Sequence, residues 1–104
     1  MLRRFATRSI RSVREALEQP DKVIVDVRTV EEVARGGGCV GAINIPLDQI
    51  PKRLSELGTD KSRPLIFYCA KGIRSADAVS FARSNGFTNV FNGVSGFELK
   101  KFLD

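Results

Sequence analysis

The chain has 104 residues, with 17 lysines and arginines against 12 aspartates and glutamates, two cysteines and no histidine, for a net charge of +5. That is chain enough for one hydrophobic core without disulfide support, and no apolar run approaches the roughly 20 residues of a membrane-spanning helix, so a span is excluded. The missing histidine rules out Ser-His and Cys-His catalytic pairs and most zinc sites. Two cysteines far apart in sequence form no disulfide framework, which favours a reducing, cytoplasmic setting.

The first residues, MLRRFATRSIR, carry arginines and hydroxyls and no acid, as a mitochondrial presequence does, which makes the mitochondrial matrix the alternative compartment. The competing reading takes Arg4 to Ile10 as a short first strand. Ser12-Val-Arg-Glu15 is a capping box that opens a helix almost at once and leaves too few residues for a presequence. The positive charge suits small anions. Nucleic acid is not expected, because no basic run is interleaved with aromatics.

Lys22 to Val27 (KVIVDV) is a β-branched strand, and Thr29-Val-Glu-Glu32 is a second capping box leading a short helix that stops in Gly36-Gly37-Gly38. Gly41 to Ile45 (GAINI) is the next strand, broken by Pro46. Asp48 can then cap a helix through Leu54 and Leu57 to Gly58, with Pro51 in its first turn. Leu65 to Tyr68 is apolar on both faces, as expected of a central parallel strand covered by helices on both sides. A loop from Cys69 opens into a helix around Arg74 to Ser75, whose stripe of Ala76, Val79 and Ala82 ends at Asn85-Gly86. A strand over Asn89 to Phe91 and a last helix from about Phe97 complete the chain. This alternation predicts one α/β domain over residues 1–104, a parallel sheet with helices on both faces that binds ligands at the carboxyl ends of its strands.

Cys69 lies at such an end. The unpaired N–H groups of its loop and of the following helix can converge on whatever the sulfur carries, forming an anion cradle. That field, with Lys71 and Arg74 close by in sequence, is expected to lower the thiol pKa without a histidine and make Cys69 a nucleophile, while Gly72 supplies the tight turn. The plain alternative is an inert cysteine at a strand end, but burial alone calls for no basic, glycine-containing loop.

Val25-Asp-Val-Arg28 (VDVR), Glu31-Glu32, Gly41-Ala-Ile-Asn-Ile-Pro46 (GAINIP), Tyr68-Cys-Ala-Lys-Gly-Ile-Arg-Ser75 and Gly86-Phe-Thr-Asn-Val90 (GFTNV) follow one another as they do in a single-domain rhodanese, which the chain resembles from about Ser9 to Lys101. The resemblance implies a parallel five-stranded sheet flanked by helices. It implies sulfur transfer from thiosulfate through a persulfide on Cys69, with Ala70, Lys71, Gly72, Ile73, Arg74 and Ser75 around that sulfur. Asp26 and Arg28 are then a structural pair behind the site. It implies a small anionic sulfur donor, a thiol such as glutathione or thioredoxin as acceptor in cells and cyanide in assays, and neither metal nor organic cofactor.

The departures are local. Where the family has Gly-His-Ile-Pro-Gly-Ala, this chain has Gly36-Gly-Gly-Cys-Val-Gly-Ala42, which lacks the histidine and the proline and places Cys39 in the loop as an incidental or a resolving thiol. The usual Gly-Gly and tryptophan are replaced by Ser95-Gly96 and Lys100. Two competing functions remain. A protein-tyrosine phosphatase has a similar cradle, but with one residue more between its cysteine and arginine and with a general acid. A noncatalytic rhodanese-like binding or regulatory module would keep the fold without turnover.

Overall fold

The computed structural model describes residues 8–103. Helix α1 (Val13–Glu18) is followed by β1 (Val23–Asp26), α2 (Val30–Ala34), β2 (Ile43–Asn44), α3 (Ile50–Arg53), β3 (Leu65–Cys69), α4 (Ile73–Ser84), β4 (Val90–Ser95) and α5 (Gly96–Leu103). The strands form one parallel sheet in the order β2-β1-β3-β4. Every residue of β3 is buried, as its unbroken apolar run requires of a strand covered on both faces.

Alternation along the strands divides the core in two. Val25, Val27, Leu65, Phe67 and Cys69 face Ile50, Leu57 and the small residues Ala78, Val79 and Ala82 of α4. Ile24, Ile66 and Tyr68 face the other way, against Ala16 and Leu17 of α1, Leu99 of α5 and Cys39. Each large side chain sealed in this way stabilises the fold by about 1.5–3 kcal/mol, so β3 is what the rest of the molecule is assembled upon.

Three expectations are corrected. The sheet has four strands among the described residues, not five. Of the expected first strand, Arg4–Thr7 lies outside the described residues, as does most of the arginine-rich start, and residues 8–10 form no strand. Instead the Asn89 side chain bonds them, donating to the Arg8 carbonyl (3.1 Å) and accepting from the Ile10 N–H (3.3 Å). One side-chain amide thus does the pairing that an added strand would do. Second, Asp48 caps nothing. The helix expected from it is a 3-10 turn (Leu47–Gln49), the single α-turn of α3 with Pro51 at its start, and a second 3-10 turn (Leu54–Leu57) ending at Gly58. Third, the last strand runs on to Ser95. Its register against β3 slips by one residue at Gly93, so that Phe67 pairs with Asn92 and Tyr68 with Val94.

The capping boxes differ in detail. At Thr29 both bonds form, from the Glu32 N–H to Thr29 Oγ1 and from the Thr29 N–H to Glu32 Oε1. At Ser12 the hydroxyl accepts from the Glu15 N–H, but the Glu15 carboxylate reaches past the cap to the Arg11 N–H.

Candidate active site

β3 delivers Cys69 at its carboxyl end, on the α4 face and 2% exposed. The chain then turns sharply through Gly72, at φ 98°, directly into α4, whose first residue is Ile73, slightly earlier than the sequence indicates. A side chain at position 72 would suffer twice, from the left-handed backbone and from Val94, whose Cγ1 lies 3.3 Å from where a Cβ would stand. The turn points backbone donors at the sulfur. The Gly72 N–H donates to Cys69 Sγ at 3.0 Å, and the Ser75 Oγ lies 3.3 Å from Sγ on the other side. Burial pushes the thiol up. The Ser75 hydroxyl and the N–H groups of Ser75, Lys71 and Gly72 outweigh it and bring Cys69 down to about 7.

Arg74 holds Glu32 of α2 in a two-pronged ion pair, 2.6 and 3.0 Å, and this carboxylate together with the nearby Cys69 sulfur keeps its guanidinium charged. This pair, together with the Thr29 N–H, holds the Glu32 carboxyl down at about 2. Lys71 is exposed at the mouth. A pocket of about 210 Å³ lined by Cys69, Ala70, Lys71, Ile73 and Arg74 opens over the sulfur. A larger groove of about 540 Å³, lined by Lys22, Ile24, Val40, Gly41, Lys100 and Leu103, contains no cysteine.

Asp26 and Arg28 stand behind the site. The Asp26 carboxylate accepts from the Arg28 backbone N–H (3.0 Å) and from its guanidinium (2.8 Å to Nη2), and Arg28 Nη1 donates to the Gly36 carbonyl (2.9 Å). Both side chains are buried, and Asn44 Nδ2 ties the Asp26 and Arg28 carbonyls together. The pair braces the glycine loop and does not reach the sulfur. Cys39, in that loop, donates its N–H to the Tyr68 hydroxyl (2.9 Å), and burial pushes its thiol up. Its side chain belongs to the α1/α5 side of the sheet while Cys69 belongs to the α4 side, so the two sulfurs are not arranged as a resolving pair.

Sequence reasoning missed Glu32 as the partner of Arg74 and Asn92 altogether. Asn92 donates to the Gly72 carbonyl (2.9 Å) and accepts from Ser75 Oγ (2.7 Å). Of the departures near the C-terminus, Ser95 caps α5 through the Glu98 N–H. Gly96 packs so closely on the Gly37 carbonyl that no side chain fits there.

A parallel α/β sheet carrying a buried, acidified cysteine in an amide-lined loop at the carboxyl end of its central strand defines a class of anion-cradling thiol proteins. Within it the chain belongs to the rhodanese-like domain family, a sulfurtransferase superfamily, whose model matches residues 9–99. An uncharacterized protein of Bacillus subtilis, YqhL, is 41% identical over 72% of this chain and 57% of its own length. A rhodanese domain-containing protein of Drosophila melanogaster, CG4456, is 35% identical over 75% of this chain and 80% of its own. The chain therefore spans little more than half the length of the first of these relatives. A solved structure described as a rhodanese with anions, from E. coli, superposes with a TM-score of 0.67 at 31% identity, covering 74% of this chain and 89% of that one.

Proposed function

We propose that the protein is a thiosulfate sulfurtransferase working by double displacement through Cys69. The thiolate attacks the outer, sulfane sulfur of thiosulfate. A new S–S bond forms, the bond to the sulfonate sulfur breaks, and sulfite leaves with that electron pair. The persulfide then gives its outer sulfur to an acceptor nucleophile, a thiolate such as that of glutathione or thioredoxin or, in an assay, cyanide, and Cys69 returns as thiolate. Charge and sulfur balance in each half, and neither half needs an oxidant or a metal.

The observation that carries this reading is the set of donors converging on Cys69, the Ser75 hydroxyl and the N–H groups of Ser75, Lys71 and Gly72, which bring its thiol to about 7 with no histidine base. In the persulfide the same donors, with Ala70, Ile73 and Arg74 completing the ring, face the outer sulfur and its charge. The pocket of about 210 Å³ suits a small dianion better than a large ligand. Asp26 and Arg28 serve by holding the neighbouring loop. Incubation with thiosulfate and cyanide tests the proposal: thiocyanate forms, and without cyanide Cys69 gains the mass of one sulfur. No turnover and no added mass would instead make this a noncatalytic rhodanese-like module. Hydrolysis of an aryl phosphate would favour a phosphatase.

A further inference from the structure

The donors around Cys69 do not exhaust the site, because Ser75 has a second partner. Asn92 stands beside the bulge at Gly93 in β4, and its side chain extends over the cysteine loop. Its Nδ2 donates to the Gly72 carbonyl and its Oδ1 accepts from the Val94 N–H, both at 2.9 Å. These two backbone groups decide which end of the amide is oxygen. Turned over, the NH2 would face the Val94 N–H and the oxygen would face the Gly72 carbonyl, two repulsive pairs. The oxygen therefore also faces Ser75 Oγ at 2.7 Å, and between an amide oxygen and a hydroxyl the hydroxyl must donate.

Ser75 has one hydroxyl proton. While that proton is on Asn92, the serine oxygen turns a lone pair toward Cys69 Sγ, 3.3 Å away. That arrangement accepts an S–H and repels a thiolate. We infer that the Ser75 hydroxyl is a rotor with two stations, and that Asn92 is the positioning residue that holds its proton whenever Cys69 Sγ bears no negative charge. Ionisation of the sulfur draws the proton across to Sγ. Asn92 then keeps the Val94 N–H as its donor and its own hold on Gly72, so the loop stays in place while the hydroxyl turns. Val94 sits at φ 72°, in the left-handed region that β-branched residues rarely occupy, so the strand leaves this bulge under backbone strain. The charged groups near Cys69 are Arg74 of α4, paired with Glu32 of α2, and Lys71 in the loop. The rotor moves none of them.

The inference rests on Cys69 being a working thiolate, not on sulfur transfer, and its test reads the thiolate alone. Iodoacetamide alkylation of Cys69 is followed across pH, by peptide mass, in the wild type, Ser75→Ala, Asn92→Asp and the double variant. An aspartate at 92 holds the Ser75 proton by a charge-assisted bond roughly twice as strong as a neutral one. Asn92→Asp is expected to raise the Cys69 midpoint and slow alkylation below pH 6 about tenfold. Without the Ser75 hydroxyl there is no proton to hold, so the same substitution in the Ser75→Ala background shifts the midpoint by no more than about half as much. Equal shifts in the two backgrounds overturn the rotor and leave Asn92 acting through its charge or through Gly72. Asn92→Ala, taken through the same cycle, guards against a disturbance peculiar to aspartate, and its shift must likewise depend on Ser75. Unfolding of both Asn92 variants also overturns the inference, by making the residue a structural prop. If thiosulfate adds no mass to Cys69, the sulfurtransfer proposal fails while the alkylation cycle still decides this one.

Discussion

Cys69 ends the central strand β3 and Cys39 lies in the loop between α2 and β2, and both are buried, 2% exposed for Cys69 and 7% for Cys39. Yet the first thiol is brought down to about 7 and the second is pushed up. Burial therefore does not separate them. Cys69 is followed at once by a left-handed glycine and a twelve-residue helix, so consecutive N–H groups turn toward its sulfur. Cys39 follows three glycines and leads to a two-residue edge strand, and the one hydrogen bond of its sulfur among the described residues is a weak donation to the Val40 carbonyl at 3.7 Å. What makes a thiolate here is the Ser75 hydroxyl together with the backbone N–H groups turned toward the sulfur, donors that Cys39 lacks among the described residues.

The sharpest way to break this comparison is to exchange the thiols one at a time. Cys69→Ser is expected to abolish thiocyanate formation, a loss of at least about a thousandfold, because a serine hydroxyl is not ionised at neutral pH and cannot hold sulfane sulfur. Cys39→Ser keeps most of the activity. Loss of turnover in a folded Cys39→Ser protein would mean that the sulfurs meet during the reaction, against their placement on opposite faces of the sheet.

Next in size is an attack on one loop alone. Asp26→Ala leaves Arg28 buried without its carboxylate, which typically destabilises by about 3–5 kcal/mol, read as a lowered urea midpoint. Because Arg28 also holds Gly36, the loop around Cys39 loosens and Cys39 becomes easier to label. The alkylation midpoint of Cys69 stays where it was, since neither residue bonds its loop. A parallel shift at Cys69 would show that the two loops are one unit.

Alkylation of the intact protein tests the comparison without mutation. Ionisation creates the reactive form, so the Cys69 rate climbs with pH through about 7 and levels above it, while Cys39 climbs only above its ordinary value of 9.0. At pH 7 about half of Cys69 is thiolate, whereas Cys39, its thiol pushed up by burial, is almost wholly protonated. The lower intrinsic nucleophilicity of an acidic thiolate trims that advantage in rate without reversing it. Equal rates at pH 7 would remove the amide field from the account.

Much of this was legible in the sequence, and the reason lies in distance along the chain. The strand, Cys69, Gly72 and the start of α4 are consecutive, so local pattern sufficed to foresee a strand that ends at Cys69 and turns through a glycine into a helix. Glu32 meets Arg74 across 42 residues, where the fold brings α2 to the start of α4, and Asn92 meets Ser75 across 17, beside the slip at Gly93. Nothing in the local pattern around Asn92 announces a one-residue slip. The five-strand expectation failed for a similar reason, since Arg8 and Ile10 are tied down by the Asn89 side chain, whose reach no strand pattern records. Asp48 failed by competition. Pro46 and Pro51 hold the intervening backbone in a tight turn, and the Asp48 carboxylate forms no capping bond to α3.

The smallest expected effects concern the cations, and here the comparison becomes one between Arg74 and Lys71. Arg74 has its charge matched by Glu32, so Arg74→Gln both removes a cation and leaves a bare carboxylate beside the pocket. It is expected to raise the KM for thiosulfate about fivefold, and Glu32→Gln, which frees Arg74 to turn to the donor, lowers it. Lys71 is exposed and free of carboxylate partners among the described residues, so its attraction for a dianion is screened by salt. Lys71→Gln therefore raises KM only about twofold at low ionic strength. That difference disappears near 0.5 M salt, where the Debye length falls to roughly 4 Å, whereas part of the Arg74 effect survives because the guanidinium lines the pocket and is half-buried. If both substitutions lose their effect together as salt rises, Arg74 is acting at long range like Lys71, and its pairing with Glu32 has no part in donor capture.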